Sequence, residues 1–365
     1  MLRSINYKRL YSRFGLNIKY GFKWNKPLLL SRLAYNGFKL AMGRAPLLRT
    51  VDFAPTYACN YRCEHCFASK FRDMDARLEM TLDDYRSCAD QCMDLGAVHF
   101  AFQGGEPLVL SHLEDIIRAC SPSKNLIAIT TNASLLTVKR IRTLKQAGVD
   151  LFTISLDSGS ADKHDGFRGV TGAFKRAVQA AKDALDEGVN VTFNAVVTHQ
   201  SLYDDGLMTL IRFTEKLGTK LNVLYAVPVG EWSENESTLL TQEDKNYVQT
   251  LFDTYPHLRR DLDANYVKYG CGAMKEVVYI DCYGDVMACP FIHASIGNCM
   301  DEPMVRIWRR GMEIDHFKGY APVCLAAEDH HFIKEHLLKS CRSSVLPVPG
   351  KVMFPDMGKH SQDIG

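Results

Sequence analysis

Residues 59–66 read Cys59-Asn-Tyr-Arg-Cys63-Glu-His-Cys66, three cysteines at C-x3-C-x2-C spacing shortly after the apolar, strand-like residues 50–54. A cubane iron-sulfur cluster normally takes a cysteine ligand at each of its irons. Three closely spaced cysteines with no nearby fourth therefore indicate a cluster in which one iron stays open. An open iron can hold a substrate.

A structural zinc site is the alternative interpretation of the same cysteines. Zinc loops bind the metal through four thiolate or imidazole ligands, and His65 could supply the fourth. Zinc loops usually pair C-x2-C units, however, and the step from Cys59 to Cys63 is one residue wider than that pattern. The spacing favours a cluster and leaves zinc open.

A second motif, Gly104-Gly105-Glu106-Pro107, follows another strand-like run. Together with C-x3-C-x2-C after a first strand, it resembles the radical S-adenosylmethionine (radical SAM) superfamily. The resemblance implies a 4Fe-4S cluster whose open iron is chelated by the amino and carboxylate groups of SAM. An electron from the reduced cluster would cleave the sulfonium to give a 5'-deoxyadenosyl radical. The protein would position the cluster and SAM and set the reduction potential of the cluster.

Short apolar strands alternate with amphipathic helices from about residue 51 to residue 225, which predicts βα units and a parallel sheet. One helix is expected over residues 81–95, where Thr81 and Asp84 form a near capping box. The family fold implied by the resemblance is an α/β, partial (β/α)6 TIM-type barrel. The predicted strands are residues 50–54, 98–102, 126–130, 151–155, 191–196 and 221–225.

In α/β barrels the catalytic and binding residues lie on loops at the carboxyl ends of the strands. These motifs should therefore lie together at one end of the barrel. Arg168 offers a planar fork of donors to a carboxylate; a surface ion pair is its other interpretation. By the resemblance, the loop of Gly104, Gly105 and Glu106 receives the SAM amino group, Ser155 and Arg168 bind its carboxylate, and Asn132, Asn194 and Val196 lie near the ribose and adenine.

Six more cysteines, Cys271, Cys282, Cys289, Cys299, Cys324 and Cys341, share the last hundred residues. Residues 279–281 and 286–288 predict a β-hairpin that carries Cys271 and Cys289 towards one site. This half resembles the SPASM or twitch extension of radical SAM enzymes, a small α+β iron-sulfur domain. Because the compact run C-x2-C-x5-C-x3-C of a full SPASM pattern is missing, one auxiliary 4Fe-4S cluster is expected rather than two.

The expected auxiliary ligands are Cys271, Cys289 and Cys341, with Cys324 as the fourth; Cys282 and Cys299 are alternates. Helical cysteines usually behave as small buried apolar residues, so Cys88, Cys92 and Cys120 are given no chemistry. The expected organisation is a basic segment at 1–49, the barrel at 50–228, the auxiliary-cluster domain at 229–345 and a tail at 346–365.

The charge balance, Lys+Arg 44 against Asp+Glu 42, gives no reason to expect nucleic acid. Every charged residue before Asp52 is basic, however, and aromatic residues are interleaved with them. This segment could contact an anionic membrane surface, pack across the bottom of the barrel or serve as an organellar transit peptide. Twelve clustered cysteines indicate metal ligation in a reducing compartment, so a cytoplasmic protein is expected, with peripheral membrane contact left open.

The first functional hypothesis is a radical SAM oxidoreductase that abstracts hydrogen from a small-molecule, peptide or lipid-linked substrate and passes an electron to the auxiliary cluster. A flavodoxin- or ferredoxin-type protein is the expected electron donor. The second hypothesis is a peptide maturase acting on a ribosomal precursor. It is weakened because only about fifty residues precede the barrel, fewer than most domains contain. The third is a non-catalytic metal-binding scaffold.

Overall fold

The computed structural model describes residues 23–72, 74, 77–260, 262, 265–266 and 269–358. Six strands, each parallel to the next along the chain, form the first half of the protein and confirm the predicted strands of a partial barrel. Their order places all six carboxyl ends at one edge. The strands are β1 Thr50–Thr56, β2 His99–Gly104, β3 Leu126–Thr131, β4 Leu151–Ser155, β5 Asn190–Val197 and β6 Lys220–Tyr225.

Helices connect these strands and cover the sheet. Thr81 and Asp84 form the capping box that begins the helix after the cysteine loop, with Thr81 N donating to Asp84 Oδ2 at 2.8 Å. The helices of this half are α1 Pro27–Ala41, α2 Ser69–Arg72, α3 Leu82–Asp94, α4 Leu113–Ala119, α5 Val138–Ala147, α6 Ala161–Arg168, α7 Ala173–Asp186, α8 Asp205–Lys216 and α9 Gln242–Thr254, with 3₁₀ turns at Pro107–Val109, Gly230–Trp232 and Glu236–Thr238.

The predicted hairpin of the second half forms, and it joins the barrel sheet. Strand β8, Val277–Asp281, pairs parallel with β1, and β9, Asp285–Met287, pairs antiparallel with β8. Strand β11, Gly297–Asn298, completes this edge, and β7, Leu258–Arg259, lies at the other edge beside β6. These ten described strands therefore build one open sheet, and the predicted boundary at residue 228 stays a prediction.

The chain after β11 is mostly helical and covers the hairpin. Part of the predicted tail is ordered, because β12, Val348–Pro349, pairs with β10, Ala294–Ser295, and Phe354 is fully buried. Residues 1–22 of the predicted basic segment and 359–365 of the tail lie outside the described residues. The remaining elements are α10 Met304–Met312, α11 Asp315–Lys318, α12 His330–Phe332, a π-helical turn at Ile333–Leu337, α13 Leu338–Cys341 and α14 Gly350–Met353.

A set of buried aromatic rings packs α3 against the first two strands. Phe53 lies at the centre, with its ring centroid 6.2 Å from Phe100, 6.0 Å from Phe102 and 5.4 Å from Tyr85. All four side chains are buried. Strand β1 is covered on both faces, which explains its nearly continuous apolar sequence.

Helix α1 crosses the amino-terminal edge of the sheet through polar contacts. Lys26 Nζ donates to the carbonyls of Asn125 at 3.0 Å and Gly148 at 3.1 Å and forms a buried ion pair with Asp150. Its acceptors immediately precede β3 and β4. Residues 23–49 thus pack across the bottom of the barrel, as one of the interpretations of the basic segment expected. None of the described helices is long and apolar enough to cross a membrane.

Replacing Lys26 by Met should lower the free energy of unfolding by about 3–5 kcal/mol, because Asp150 would remain as a buried, unpaired charge. Chemical denaturation of the apo protein followed by circular dichroism measures this. Lys163→Met is the matched control: its ion pair with Asp204 is largely exposed, so the change should stay within about 1 kcal/mol. Equal effects of the two substitutions would contradict the assigned role of Lys26.

Candidate active site

The three cysteines of the first motif lie on the loop after β1 and line a cleft at the carboxyl ends of the strands. The loop turns tightly, with Cys66 N donating to Cys63 O at 3.2 Å. Burial raises the pKa of Cys59 to about 11 and also raises that of Cys66. Buried thiols of this kind keep their protons unless a metal ion replaces them.

Gly104 and Gly105 allow the second loop to lie directly against the cysteine loop. Gly105 N donates to Thr56 O and Glu106 N donates to Ala58 O, both at 2.9 Å. Gly104 has a φ of +108°, and a Cβ on Gly105 would lie 2.2 Å from Ala58 O. Larger residues would therefore separate the two loops.

Glu106 is fully buried and ties the second loop to the third. Its carboxylate accepts hydrogen bonds from Thr131 Oγ1 at 2.7 Å, Asn132 N at 2.8 Å and Leu108 N at 3.1 Å. Burial raises its pKa to about 7, although these donors act in the opposite direction. The structure gives Glu106 a bracing function, and its predicted contact with the SAM amino group stays a prediction.

Arg168 is buried beside the cysteine loop, so it is not the surface ion pair of the alternative interpretation. Its Nε donates to Asp157 Oδ2 at 2.7 Å, and its Nη1 lies 3.7 Å from Cys63 Sγ. Burial alone would raise the pKa of Asp157, but the Arg168 guanidinium and His164 hold it well below the ordinary value. The ionised carboxylate therefore fixes Arg168 in the cleft.

The remaining predicted SAM-binding residues line the same cleft. Ser155 ends β4, Asn132 Nδ2 donates to Asn60 Oδ1 at 2.9 Å, and Asn194 Oδ1 accepts from Asn222 Nδ2 at 2.7 Å. Residues from five separate strand ends are thus brought together, as predicted. The members of the cleft predicted from sequence are Cys59, Cys63, Cys66, Gly104, Gly105, Glu106, Asn132, Ser155, Arg168, Asn194 and Val196.

Sequence reasoning missed the segment after β6, which closes over the cysteine loop. Glu231 N donates to Cys66 O at 3.1 Å, and a Cβ on Gly230 would lie 2.0 Å from that same oxygen. Trp232 follows and lines the cleft. The only local sequence signal that this segment lies against the cysteine loop is Gly230, which has a φ of +63°. The missed aromatic residues of the cleft are Tyr57, Phe67, Tyr225, Trp232 and Phe291.

His65, the fourth ligand in the zinc interpretation, packs among aromatic rings. Its ring stacks on Phe167 with centroids 4.4 Å apart and lies 5.8 Å from Trp232. Burial lowers its pKa to about 3, so it is neutral. Among the described residues, no three Cys, His, Asp or Glu side chains are close enough together to share one metal ion. A cubane cluster does not require this, because each iron takes its own ligand.

Three of the four predicted auxiliary ligands lie together. Burial and the nearby thiols of Cys271 and Cys324 raise the pKa of Cys289 well above its ordinary value, and burial with Cys271 raises that of Cys324 to about 12. Cys271 N donates to Ala321 O at 2.7 Å, which brings its turn to the chain just before Cys324. Phe291, two residues after Cys289, lines the cleft.

The other cysteines of this half have different surroundings. Cys341 Sγ donates to Pro228 O at 3.4 Å, near the end of β6. The thiol of the alternate Cys299 contacts that of Cys88 on α3, and Asp281 is a charged neighbour of the alternate Cys282. The ligand role of Cys341 stays a prediction.

Comparison with protein families agrees with this geometry. Residues 53–213 match the model of the radical SAM superfamily, and residues 271–343 match SPASM, an iron-sulfur cluster-binding domain. The chain therefore contains a radical SAM domain followed by a SPASM domain. Its cofactors are accordingly a 4Fe-4S cluster that binds SAM, SAM itself, and auxiliary iron-sulfur clusters. The donors present fit them, since partly buried thiols lie at both sites.

Several curated relatives cover most of the chain at low identity. An AdoMet-dependent heme synthase of Oleidesulfovibrio alaskensis is 24% identical over 304 residues, 75% of this chain and 78% of the relative. A heme synthase of the same name from Methanosarcina barkeri is 23% identical over 78% of this chain and 90% of the relative. A GTP 3',8-cyclase of Aquifex aeolicus is 26% identical over 60% and 69%, respectively. The names of the two heme synthases and of the cyclase describe different reactions.

Solved structures share the fold. Streptococcus suis SuiB bound to its precursor peptide SuiA superimposes with a TM-score of 0.60 at 18% identity, over 80% of this chain and 70% of that one. The enzyme anSMEcpe with bound AdoMet gives a TM-score of 0.58 at 18% identity, over 77% and 84%. At these identities the likeness establishes the fold alone.

Replacing Gly105 by Ala should weaken SAM binding at least tenfold, because the new Cβ would push the second loop away from Ala58. Isothermal titration of the anaerobically reconstituted protein measures this. Gly37→Ala is the control, since its Cβ would meet nothing within 4 Å. That helical substitution should leave SAM affinity unchanged and stabilise the fold slightly. Wild-type affinity in Gly105→Ala would show that the two loops tolerate separation.

Proposed function

We propose that this radical SAM enzyme oxidises a small molecule held in the cleft between its two iron-sulfur sites. The observation that supports this is the lining of the cleft, which includes the three cysteines of the β1 loop and also Phe291, two residues from Cys289. A substrate in the cleft would lie next to the first site and against the chain segment that carries the second. Such proximity suits a reaction in which hydrogen is removed on one side and an electron on the other.

Cys59, Cys63 and Cys66 are the proposed ligands of the SAM-binding cluster. When bound, the cluster and SAM supply reductive cleavage of the sulfonium to a 5'-deoxyadenosyl radical that takes a hydrogen atom from the substrate. Arg168, oriented by Asp157, presents its guanidinium to the SAM carboxylate. Glu106 holds the second and third loops in register, so that the backbone around Gly104 and Gly105 receives the amino group.

Cys271, Cys289 and Cys324 are the proposed ligands at the auxiliary site, with Cys341 the sequence-based candidate for a fourth. In the proposed reaction a substrate C–H bond would break as 5'-deoxyadenosine forms, and a cluster held by these cysteines would accept the remaining electron as the substrate loses a proton. Packing between Phe67 and Phe291, with ring centroids 5.5 Å apart, joins the cysteine loop to the chain that carries Cys289. These two partly buried rings therefore connect the chain segments that carry the two sites.

The walls of the cleft favour a substrate with a large apolar or conjugated body. Tyr57, Tyr225, Trp232 and Phe291 supply aromatic faces. Arg72 also lines the cleft, and its buried Nε has no hydrogen-bond partner in the protein. It could donate to a carboxylate or carbonyl of the substrate. Similarity to proteins named AdoMet-dependent heme synthases supports a small-molecule substrate over a peptide.

A flavodoxin- or ferredoxin-type protein is the proposed source of the electron that starts each turnover. The peptide-maturase alternative gains nothing from the SuiB complex, because that likeness is one of fold.

Replacing Cys271, Cys289 and Cys324 together by Ala should separate the two sites. Iron per chain should fall from about eight to about four, while SAM cleavage under dithionite continues. Iron analysis and chromatography of 5'-deoxyadenosine measure the two results. Cys88→Ala and Cys120→Ala, both buried outside the two sites, are the controls and should keep all iron. Unchanged iron in the triple variant would contradict the auxiliary site. Loss of all SAM cleavage would contradict the claim that SAM cleavage does not require that site.

A further inference from the structure

Helix α1 presents an apolar face to the outside of the molecule. Leu28, Tyr35, Phe38 and Met42 are exposed by 50%, 57%, 61% and 65%. Their spacing of seven, three and four residues places them on one side of a helix. The other exposed residues on this side, Ser31, Ala34, Gly37 and Ala41, are small and uncharged.

The opposite side of α1 faces the protein and combines the fully buried Leu29 with polar contacts. Arg32 donates to Ala97 O at 2.6 Å, and Asn36 donates to Gly96 O at 2.7 Å, beside the buried contacts of Lys26. An ordinary surface helix buries its apolar side and exposes its polar side. Helix α1 nevertheless leaves an apolar face without a protein partner in the described structure, and such faces mark interaction sites.

The charge around this face identifies its partner. The described residues 23–51 contain six Lys and Arg and neither Asp nor Glu. Lys39 lies over the Tyr35 ring, 4.5 Å from its centroid, and Arg44 is exposed just beyond the helix. A second copy of the chain would bring another basic segment to the same place and be repelled. Anionic lipid head groups would be attracted instead.

We propose that the exposed face of α1 docks on the surface of an anionic bilayer. The apolar side chains enter the boundary between head groups and acyl chains, and the neighbouring basic residues contact the lipid phosphates. Because α1 crosses the amino-terminal edge of the sheet and the cleft lies at the carboxyl edge, the docked enzyme holds its cleft away from that membrane. This orientation favours a substrate that arrives from water over one that stays in the bilayer.

Sedimentation of the full-length protein with vesicles tests this proposal. The protein should bind vesicles containing phosphatidylglycerol at least tenfold more strongly than pure phosphatidylcholine vesicles. The variant Leu28→Ser, Tyr35→Ser, Phe38→Ser should bind the phosphatidylglycerol vesicles at least tenfold more weakly than wild type, with its iron content unchanged. The control Tyr203→Ser, Val345→Ser, Val352→Ser changes side chains exposed by 56%, 57% and 69% elsewhere and should bind like wild type. Equal binding by both variants, or no preference for the anionic vesicles, would overturn the proposal.

A separate observation concerns Lys275, which is only 4% exposed and whose Nζ has no hydrogen-bond partner. A buried ammonium without a partner is costly, so an anion is expected beside it. The nearest aromatic contact is Tyr320, whose ring centroid lies 5.5 Å from Nζ. Tyr320 precedes Ala321, the residue whose carbonyl accepts from Cys271 N.

Lys275 belongs to the turn that carries Cys271. Its backbone N donates to Gly272 O at 3.1 Å, and Trp308 Nε1 donates to its carbonyl at 3.2 Å, so the turn is held firmly. Burial lowers the pKa of Lys275 to about 8, while negative charge on Cys271 acts in the opposite direction. An iron-sulfur cluster with thiolate ligands carries negative charge and would supply the missing partner.

We infer that Lys275 is a positioning residue whose ammonium donates to a sulfur of the auxiliary cluster and raises its reduction potential. Hydrogen bonds and positive charge near the sulfurs act in this direction. This inference depends on the proposed ligands Cys271, Cys289 and Cys324. It assigns Lys275 no role in SAM binding.

A potentiometric titration followed by electron paramagnetic resonance tests the inference in a parent with Ala at Cys59, Cys63 and Cys66, which retains only the auxiliary site. Lys275→Met should shift the midpoint potential to lower values. Its apo form should unfold at a higher temperature, because a buried unpaired charge is removed. Lys318→Met, which alters an exposed ion pair on α11, is the control and should change neither.

An unchanged potential in Lys275→Met with full iron content would overturn the inference and leave the proposed function intact. A parent without iron would instead overturn the auxiliary site and, with it, the role of Lys275. Loss of iron from a folded Lys275→Met protein whose parent retains it would support the contact.

Discussion

Two backbone hydrogen bonds, from Gly105 to Thr56 and from Glu106 to Ala58, hold the loop after β2 against the cysteine loop after β1. The rest of the cleft depends on this contact. Glu106 extends it to the third loop through Thr131 and Asn132, and the segment at Gly230 closes the other side of the cysteine loop. Parallel strands bring the loops to one edge, but these contacts fix their separation. The shape of the cleft therefore depends on contacts within the protein.

The features that could be predicted from sequence have local signals. The six strands are short apolar runs, and the capping box at Thr81 marks the start of α3. Likewise, the cysteine spacing and the Gly-Gly-Glu-Pro turn identify the SAM site through their positions after consecutive strands. Convergence of distant residues followed from one rule about parallel sheets. Because Arg168 lies far along the chain from Cys63, its place in the cleft was predicted through family resemblance rather than through spacing, and its contact with that thiol was not predicted.

The features that escaped prediction depend on contacts between distant segments. Pairing of β8 with β1 joins residues more than two hundred positions apart, and no pattern in either strand selects the other as partner. The sequence shows that α1 is amphipathic but cannot show which side packs, since Lys26, Arg32 and Asn36 find acceptors only at the assembled sheet edge. Cys341 was predicted as an auxiliary-cluster ligand because of its position along the chain relative to the SPASM or twitch pattern. In the structure its thiol contacts the carbonyl of Pro228.

Formation of 5'-deoxyadenosine from SAM by the anaerobically reconstituted, dithionite-reduced protein is the most direct test of the central claim. We expect wild-type protein to form 5'-deoxyadenosine and methionine in equal amounts. The variant with Ala at Cys59, Cys63 and Cys66 should form neither, because no iron would remain open to SAM. Cleavage that persists in this variant, or no cleavage by a wild-type protein carrying its full iron, would contradict the assignment of the three cysteines to the SAM-binding cluster.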